Sequence, residues 1–170
     1  GLIELLSGDD RVRWIRVMYL QPSRVNDEFL WFMRSQGKLC KYLDIPFQHS
    51  HPEILRRMGR RGSGTSYLSL VAKAREAMPQ VAVRSTFIVG FPGETEAHFK
   101  HLTTFVDTAR FDYGGAFVYS PEEGTRAADM RPQVRRTVSQ RRLNVLNEML
   151  LQAGVRQRER LVDRTVEVMI

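Results

Sequence analysis

The chain has 170 residues, 42% of them hydrophobic and 26% charged, and a net charge of +7. That size and balance fit one globular domain with a real core, and no run of apolar residues is long enough to span a membrane. The single cysteine, Cys40, excludes an internal disulfide and cannot by itself hold a metal or cluster. It reads as a small buried residue beside a strand, in a reducing, cytoplasmic setting. The opening GLIELLSGDD has no basic segment and no cleavage-like site, so no signal peptide is expected. The chain does not begin with Met, and the expectation is that it is the later part of a longer protein.

In chain order, Trp14 to Tyr19 reads as a strand stopped before Pro22. Asn26 or Asp27 caps a helix with Phe29, Leu30 and Met33 on its apolar face. Tyr42 to Ile45 is a short strand, followed by the polar turn Gln48, His49, Ser50, His51 and a short helix from Pro52. Gly59 to Gly64 is a loop, and Thr65 or Ser66 opens a helix closed by Pro79. Val81 to Val89 is a strand apolar on both faces near its end, as in a buried parallel sheet. Thr95 caps a helix carrying Phe99, Leu102, Val106 and Ala109. Gly115 to Tyr119 is a strand, and Gln133 to about Arg160 a long helix with Leu143, Leu146, Leu150 and Ala153 on one stripe. Thr165 to Ile170 alternates like the first strand of a further domain. The alternation of strands with helices predicts parallel βαβ units.

The charge is uneven. Residues 1–130 carry 17 basic and 15 acidic side chains, residues 131–170 carry 9 and 4. A basic C-terminal helix suits a nucleic-acid backbone or a solvated face. A non-catalytic RNA-binding module is therefore a second functional class to weigh.

The stretch VRSTFIVGFPGETEAHF, residues 83–99, runs from a strand through a glycine-rich turn into a helix, the usual cradle for a phosphate or nucleotide. It matches neither GxGxxG nor GxxxxGK[ST], and the absence of Lys in the turn argues against a triphosphate. In parallel α/β folds the ligand sits at the C-terminal strand ends. Those ends offer Tyr19 and Gln21, then Gln48 and His49, then Thr86 with Gly90 to Glu94, then Tyr119, Ser120 and Glu122. The set suits a flat, hydroxyl-bearing, zwitterionic ligand, with glycines where a backbone must approach closely.

Three segments, YLDIPFQHSHPEILRRMGR, TFIVGFPGETEAHF and FVYSPEEGTRAADM, in this order and spacing, resemble the later half of a radical S-adenosylmethionine domain of the methylthiotransferase family. The resemblance covers about residues 12–170. It implies an α/β fold, a partial, incomplete parallel TIM-like barrel of later strands only, followed by a long helix. It divides the chain into residues 1–162, the C-terminal part of that domain, and residues 163–170, the first strand of a truncated TRAM domain. It implies S-adenosylmethionine as cofactor. Gln48 is similar to the residue that meets the nucleoside, and Arg60, twelve residues on, to the one that holds the methionine carboxylate as a guanidinium fork. Thr86 takes a ribose-facing position. Gly90, Phe91, Pro92, Gly93 and Glu94 form the cradling turn, and Tyr119 and Ser120 lie by the adenine edge.

KYLDIPFQH and YSPEEGT look most like the RimO type, which adds a methylthio group to an aspartate β-carbon of a small-subunit ribosomal protein. The alternative is the MiaB type, which modifies an adenosine of tRNA. The family carries two [4Fe-4S] clusters, one on a CxxxCxxC motif, and needs an electron donor. Thiolates are the ligands of such clusters. Cys40 matches neither set, so no metal ligand and no catalytic residue is expected within these residues. The family's chemistry is reductive cleavage of S-adenosylmethionine to a radical, hydrogen abstraction and sulfur insertion, and this chain would supply half of the positioning shell.

Overall fold

A computed structural model describes residues 1–166. The elements are α1 (Leu2–Ser7), a 3-10 turn (Pro22–Arg24), α2 (Asp27–Ser35), β1 (Tyr42–Asp44), α3 (Pro52–Arg57), α4 (Gly64–Ala77) and β2 (Ala82–Val89). Then come α5 (Glu96–Ala109), β3 (Tyr113–Val118), α6 (Arg126–Asp129), α7 (Arg136–Arg158) and a 3-10 turn (Glu159–Leu161). The three strands form one open sheet in the order β1-β2-β3, all parallel. Leu43 pairs with Val83, and Phe87 with Ala116.

The capping signals hold. The Asn26 side chain accepts from the Phe29 N–H at 2.9 Å, and the Thr95 hydroxyl accepts from the His98 N–H at 3.3 Å. Ser63, not Thr65 or Ser66, caps α4, because its hydroxyl accepts from the Ser66 N–H and Gly64 already lies in the helix. α7 begins three residues after Gln133 and keeps the expected stripe, with Leu146, Leu150 and Ala153 buried.

Two expectations change. Residues 14–19 do not form a strand. The segment runs alongside β1, with a parallel bridge of Ile15 with Leu39, the Tyr19 N–H donating to Asp44 Oδ2 (3.3 Å) and the Leu20 N–H to the Asp44 carbonyl (2.8 Å). A left-handed turn at Tyr19 (φ 57°) ends its extended run. β2 is apolar on both faces at its end, with Phe87 and Val89 on one and Ile88 on the other, but it is fully buried on one face only. Val83, Ser85, Phe87 and Val89 are buried beneath the helices, while Arg84, Thr86 and Ile88 are half-buried on the sheet's other face. That second face also carries Phe117, 62% exposed, beside Ile88 in the β2–β3 register. The strand expected from Thr165 falls in its greater part, residues 167–170, outside the described residues.

The core lies between the sheet and α4, α5 and α7. Phe47 stacks on Tyr67 (ring centroids 4.4 Å) and meets Phe105 and Phe111 at 5.8 and 6.0 Å. Phe87 closes the group against Phe105 and Phe111. Each such side chain contributes about 1.5–3 kcal/mol on burial. The packing fixes the loops after β1 and β2 side by side at one end of the sheet.

Candidate functional site at the strand ends

The loop leaving β1 is held against β2 by its main chain. The Gln48 N–H donates to the Thr86 carbonyl (2.9 Å), and the Ile88 N–H donates to the Gln48 carbonyl (2.8 Å). Gln48 adopts φ 69°, an uncommon conformation for a side chain of its size. Its amide has no hydrogen-bond partner among the described residues and lines a cleft of about 370 Å³. Arg60, Ile88, Phe91, Tyr119 and Arg126 line the same cleft. Gly59 (φ 71°), two residues past the end of α3, reverses the chain and carries Arg60 back over the strand ends.

The turn after β2 is organised from inside. Gly90 has φ 75°, and a Cβ there would run into the Ser139 hydroxyl on α7. The Gly93 N–H donates to the Pro132 carbonyl (2.8 Å), and Arg57 Nη2 donates to the Arg131 carbonyl (3.0 Å). The strap that carries α6 is thus tied to both the turn and α3. Glu94 Oε2 accepts from the Gly90 N–H and from the Phe91 N–H (3.2 Å). Its Oε1 lies 3.2 Å from Arg142 Nη1, without hydrogen-bond geometry, and Arg142 Nη1 donates instead to the Glu94 carbonyl (3.1 Å). Burial pushes the Glu94 carboxyl up to about 7, against the pull of Arg142 and the two backbone donors.

The expected residues therefore divide. Gln48, Arg60, Phe91 and Tyr119 share one cleft. Gly90, Tyr119 and Ser120 line a neighbouring cleft of about 540 Å³ with Arg136, Ser139 and Gln140. Thr86 sits on the open face of β2, two residues before Ile88, and lines neither. Pro92 is buried, Gly93 packs against Arg57, and the Glu94 carboxylate points into the turn rather than the cleft. Sequence reasoning missed Arg57, Arg126, Met130 and Arg142. Arg142 had a signal, a charged residue at a buried position of the α7 stripe. Arg126 had none, because the strap places it through its contacts with α3 and the turn.

The first cleft is lined by both cations and aromatic rings. No carboxylate pairs with the Arg60 or Arg126 guanidinium among the described residues. The Phe91 and Tyr119 rings meet edge-on at 5.0 Å, and the buried Tyr119 hydroxyl has no partner. An orphaned hydroxyl, an unsatisfied amide and two unpaired guanidinium groups around about 370 Å³ suit a ligand with a carboxylate at one end and a polar aromatic system at the other. S-adenosylmethionine has that donor and acceptor pattern, so the residues present fit it. The single Cys40 does not supply a cluster's thiolates.

Comparison with known proteins agrees. A sequence profile described as the Radical SAM superfamily matches residues 2–106. The chain is 42% identical over its whole length to the ribosomal protein uS12 methylthiotransferase RimO of Geotalea uraniireducens, and 43% identical over 99% of its length to that of Chloroflexus aurantiacus. It spans 38% and 37% of those proteins. Among solved structures, coproporphyrinogen III oxidase (HemN) from Escherichia coli, a radical SAM enzyme, superposes with a TM-score of 0.72 at 20% identity, over 90% of this chain and 36% of that one. The radical S-adenosylmethionine methyltransferase TsrM from Kitasatospora setae superposes with a TM-score of 0.55 at 19% identity, over 69% of this chain and 24% of that one. These likenesses show the fold, three parallel strands with their helices and a long closing helix. With the profile covering more than half of its length, the chain belongs to the radical S-adenosylmethionine superfamily.

Proposed function

We propose that this chain forms the later half of the cofactor shell of a RimO-type methylthiotransferase, which adds a methylthio group to an aspartate β-carbon of ribosomal protein uS12. The observation that carries the reading is the meeting of Gln48, Arg60, Phe91 and Tyr119 around one cleft at the strand ends. The names of the relatives, with about two fifths identity along the chain, support the substrate. The cofactor and a [4Fe-4S] cluster supply the radical chemistry.

The chain's own residues bind and orient. The Arg60 fork takes the methionine carboxylate, with Arg126 as a second cation facing the same space. Gln48 takes a hydroxyl of the nucleoside. Phe91 and Tyr119, in edge contact with each other, offer the adenine one aromatic wall, with the Tyr119 hydroxyl and the Gly90 to Gly93 backbone at its polar edge. Ser120 borders the adjoining cleft. Glu94 acts through the turn, by holding the Gly90 and Phe91 N–H groups. Both clusters, the second one included, are ligated by cysteines outside this chain, and an external donor reduces them. Residues 163–170 begin a TRAM domain that docks the substrate. Ribosomal proteins place the reaction in the cytoplasm, and no helix among the described residues is long and apolar enough to cross a membrane.

The test is mass spectrometry on small ribosomal subunits and on tRNA after incubation with the reconstituted full-length protein and cofactor. A methylthio group on an aspartate of uS12, with tRNA unchanged, is the expected result. A methylthio-adenosine in tRNA with uS12 unmodified moves the protein to the other branch, and no modification of either removes the reading.

A further inference from the structure

All four histidines of the chain gather where the two cleft loops enter their helices. The His51 and His98 rings lie 4.2 Å apart and the His51 and His101 rings 5.1 Å apart. His51 is the N-cap of α3, and its Nδ1 accepts from the Glu53 N–H (3.3 Å). His98 closes the first turn of α5, and its Nδ1 accepts from the Thr95 N–H (3.2 Å). Nδ1 of the buried His49 accepts from the His51 N–H (2.9 Å).

An Nδ1 that accepts must keep its lone pair, so the neutral ring carries its proton on Nε2. Proton uptake fills Nδ1 and turns an acceptor into a donor that faces another donor. The same argument weighs against a metal at His51, Glu53 and His98, whose ligand atoms lie within 4.8 Å of one another. A histidine that ligates through Nε2 carries its hydrogen on Nδ1 and needs an acceptor there, whereas here backbone N–H groups stand in that place.

We propose that His51 and His98 are positioning residues whose neutral rings hold the loop after β1 and the turn after β2 together, and that proton uptake by His51 uncaps α3 and loosens the cleft. The ionisable groups around the pair are His49 from the β1 loop, Glu53 from α3, Glu94 and Glu96 at the start of α5, His101 within α5, and Arg142 from α7. Glu53, with Oε2 3.4 Å from His98 Nε2, draws the Nε2–H without competing for Nδ1. Burial, then the neighbouring His98 and His101, holds His51 below the ordinary histidine range, so the latch is closed at neutral pH and opens on acidification. The latch concerns the loops and stands whichever ligand the cleft takes.

The test is nuclear magnetic resonance on the chain, reading ring tautomers and amide exchange between about pH 7.5 and about pH 5.5, the range in which histidines charge. His49, His51 and His98 should show protonated Nε2 and bare Nδ1 at the upper pH. Exchange protection at the Glu53 amide should then fall by about tenfold per pH unit as His51 titrates. The double variant His51→Asn with His98→Gln keeps carbonyl acceptors at both caps and cannot titrate in this range. It should hold its protection to the lower pH. An Nδ1–H tautomer at His51 or His98 in the unaltered chain overturns the proposal and needs no variant. So does a double variant that loses protection as the unaltered chain does, which would place the titration on Glu94 or His49.

Discussion

Arg142 on α7 brings Nη1 to 3.2 Å from Oε1 of Glu94 in the turn after β2, with the two side chains 4% and 0% exposed. The long helix thus reaches the end of the sheet that carries the cleft. The same guanidinium reaches Glu96 with Nη2 (3.1 Å) and lies 5.4 Å from the centre of the Phe99 ring. Above about pH 7, where Glu94 carries its charge, removing Arg142 leaves that buried charge unpaired, so Arg142→Ala should cost about 3–5 kcal/mol in urea unfolding there. Arg142→Met combined with Glu94→Gln should cost less than Arg142→Ala alone. Equal losses would mean that the pair is not the origin of the effect.

Glu94 also sets a pH dependence. Its folded carboxyl sits near 7, above its ordinary 4.5, because burial disfavours the charge. A raised pKa contributes stability that is present below about 4.5 and lost as pH rises through about 7. The stability of the unaltered chain relative to Glu94→Gln should therefore decline across that window. A difference that grows with pH would show that Arg142 and the backbone donors outweigh burial.

His49 acts with the opposite sign. Burial, reinforced by the neighbouring histidines, holds it down to about 3. A lowered pKa on a base contributes stability that is present above about 6.5 and lost as pH falls toward about 3. Relative to His49→Asn, the unaltered chain should lose about 1.4 kcal/mol per pH unit over that range. A flat difference would place His49 in contact with solvent.

Much of this fold is legible in the sequence. Thr95 and Asn26 announce their helices because a cap is a local bond, and the α5 and α7 stripes follow from period alone. Gly90 marked its turn because a left-handed residue against α7 leaves no space for a Cβ. Residues 14–19 misled because β-branched and aromatic residues suit a strand wherever they stand, while pairing depends on what lies alongside. The sequence does not say which way a carboxylate points, and the Glu94 side chain turns in to the Gly90 and Phe91 N–H groups rather than toward the cleft. Arg57 and Arg126 reach the cleft through contacts between segments far apart in the chain.

Gly90→Ala tests that turn. An Ala there adopts an unfavourable φ and meets Ser139, so destabilisation of about 1–3 kcal/mol is expected in thermal or urea unfolding. Ser139→Gly in the same chain should recover the part due to contact and leave the part due to φ. Full recovery would assign the whole effect to crowding.

Calorimetry of S-adenosylmethionine binding to the reconstituted full-length protein, unaltered and with Arg60→Ala, tests the cofactor seat most directly. The guanidinium fork is worth about 1.5–3 kcal/mol as a charge-assisted bond, and Gln48→Ala about 0.5–1.5 kcal/mol as a neutral one. Arg60→Lys should recover part of the loss, since a point charge cannot make the fork. The expected result is weaker binding in that order with iron content unchanged. Unaltered affinity in Arg60→Ala would remove the cleft of Gln48, Arg60, Phe91 and Tyr119 from the cofactor site.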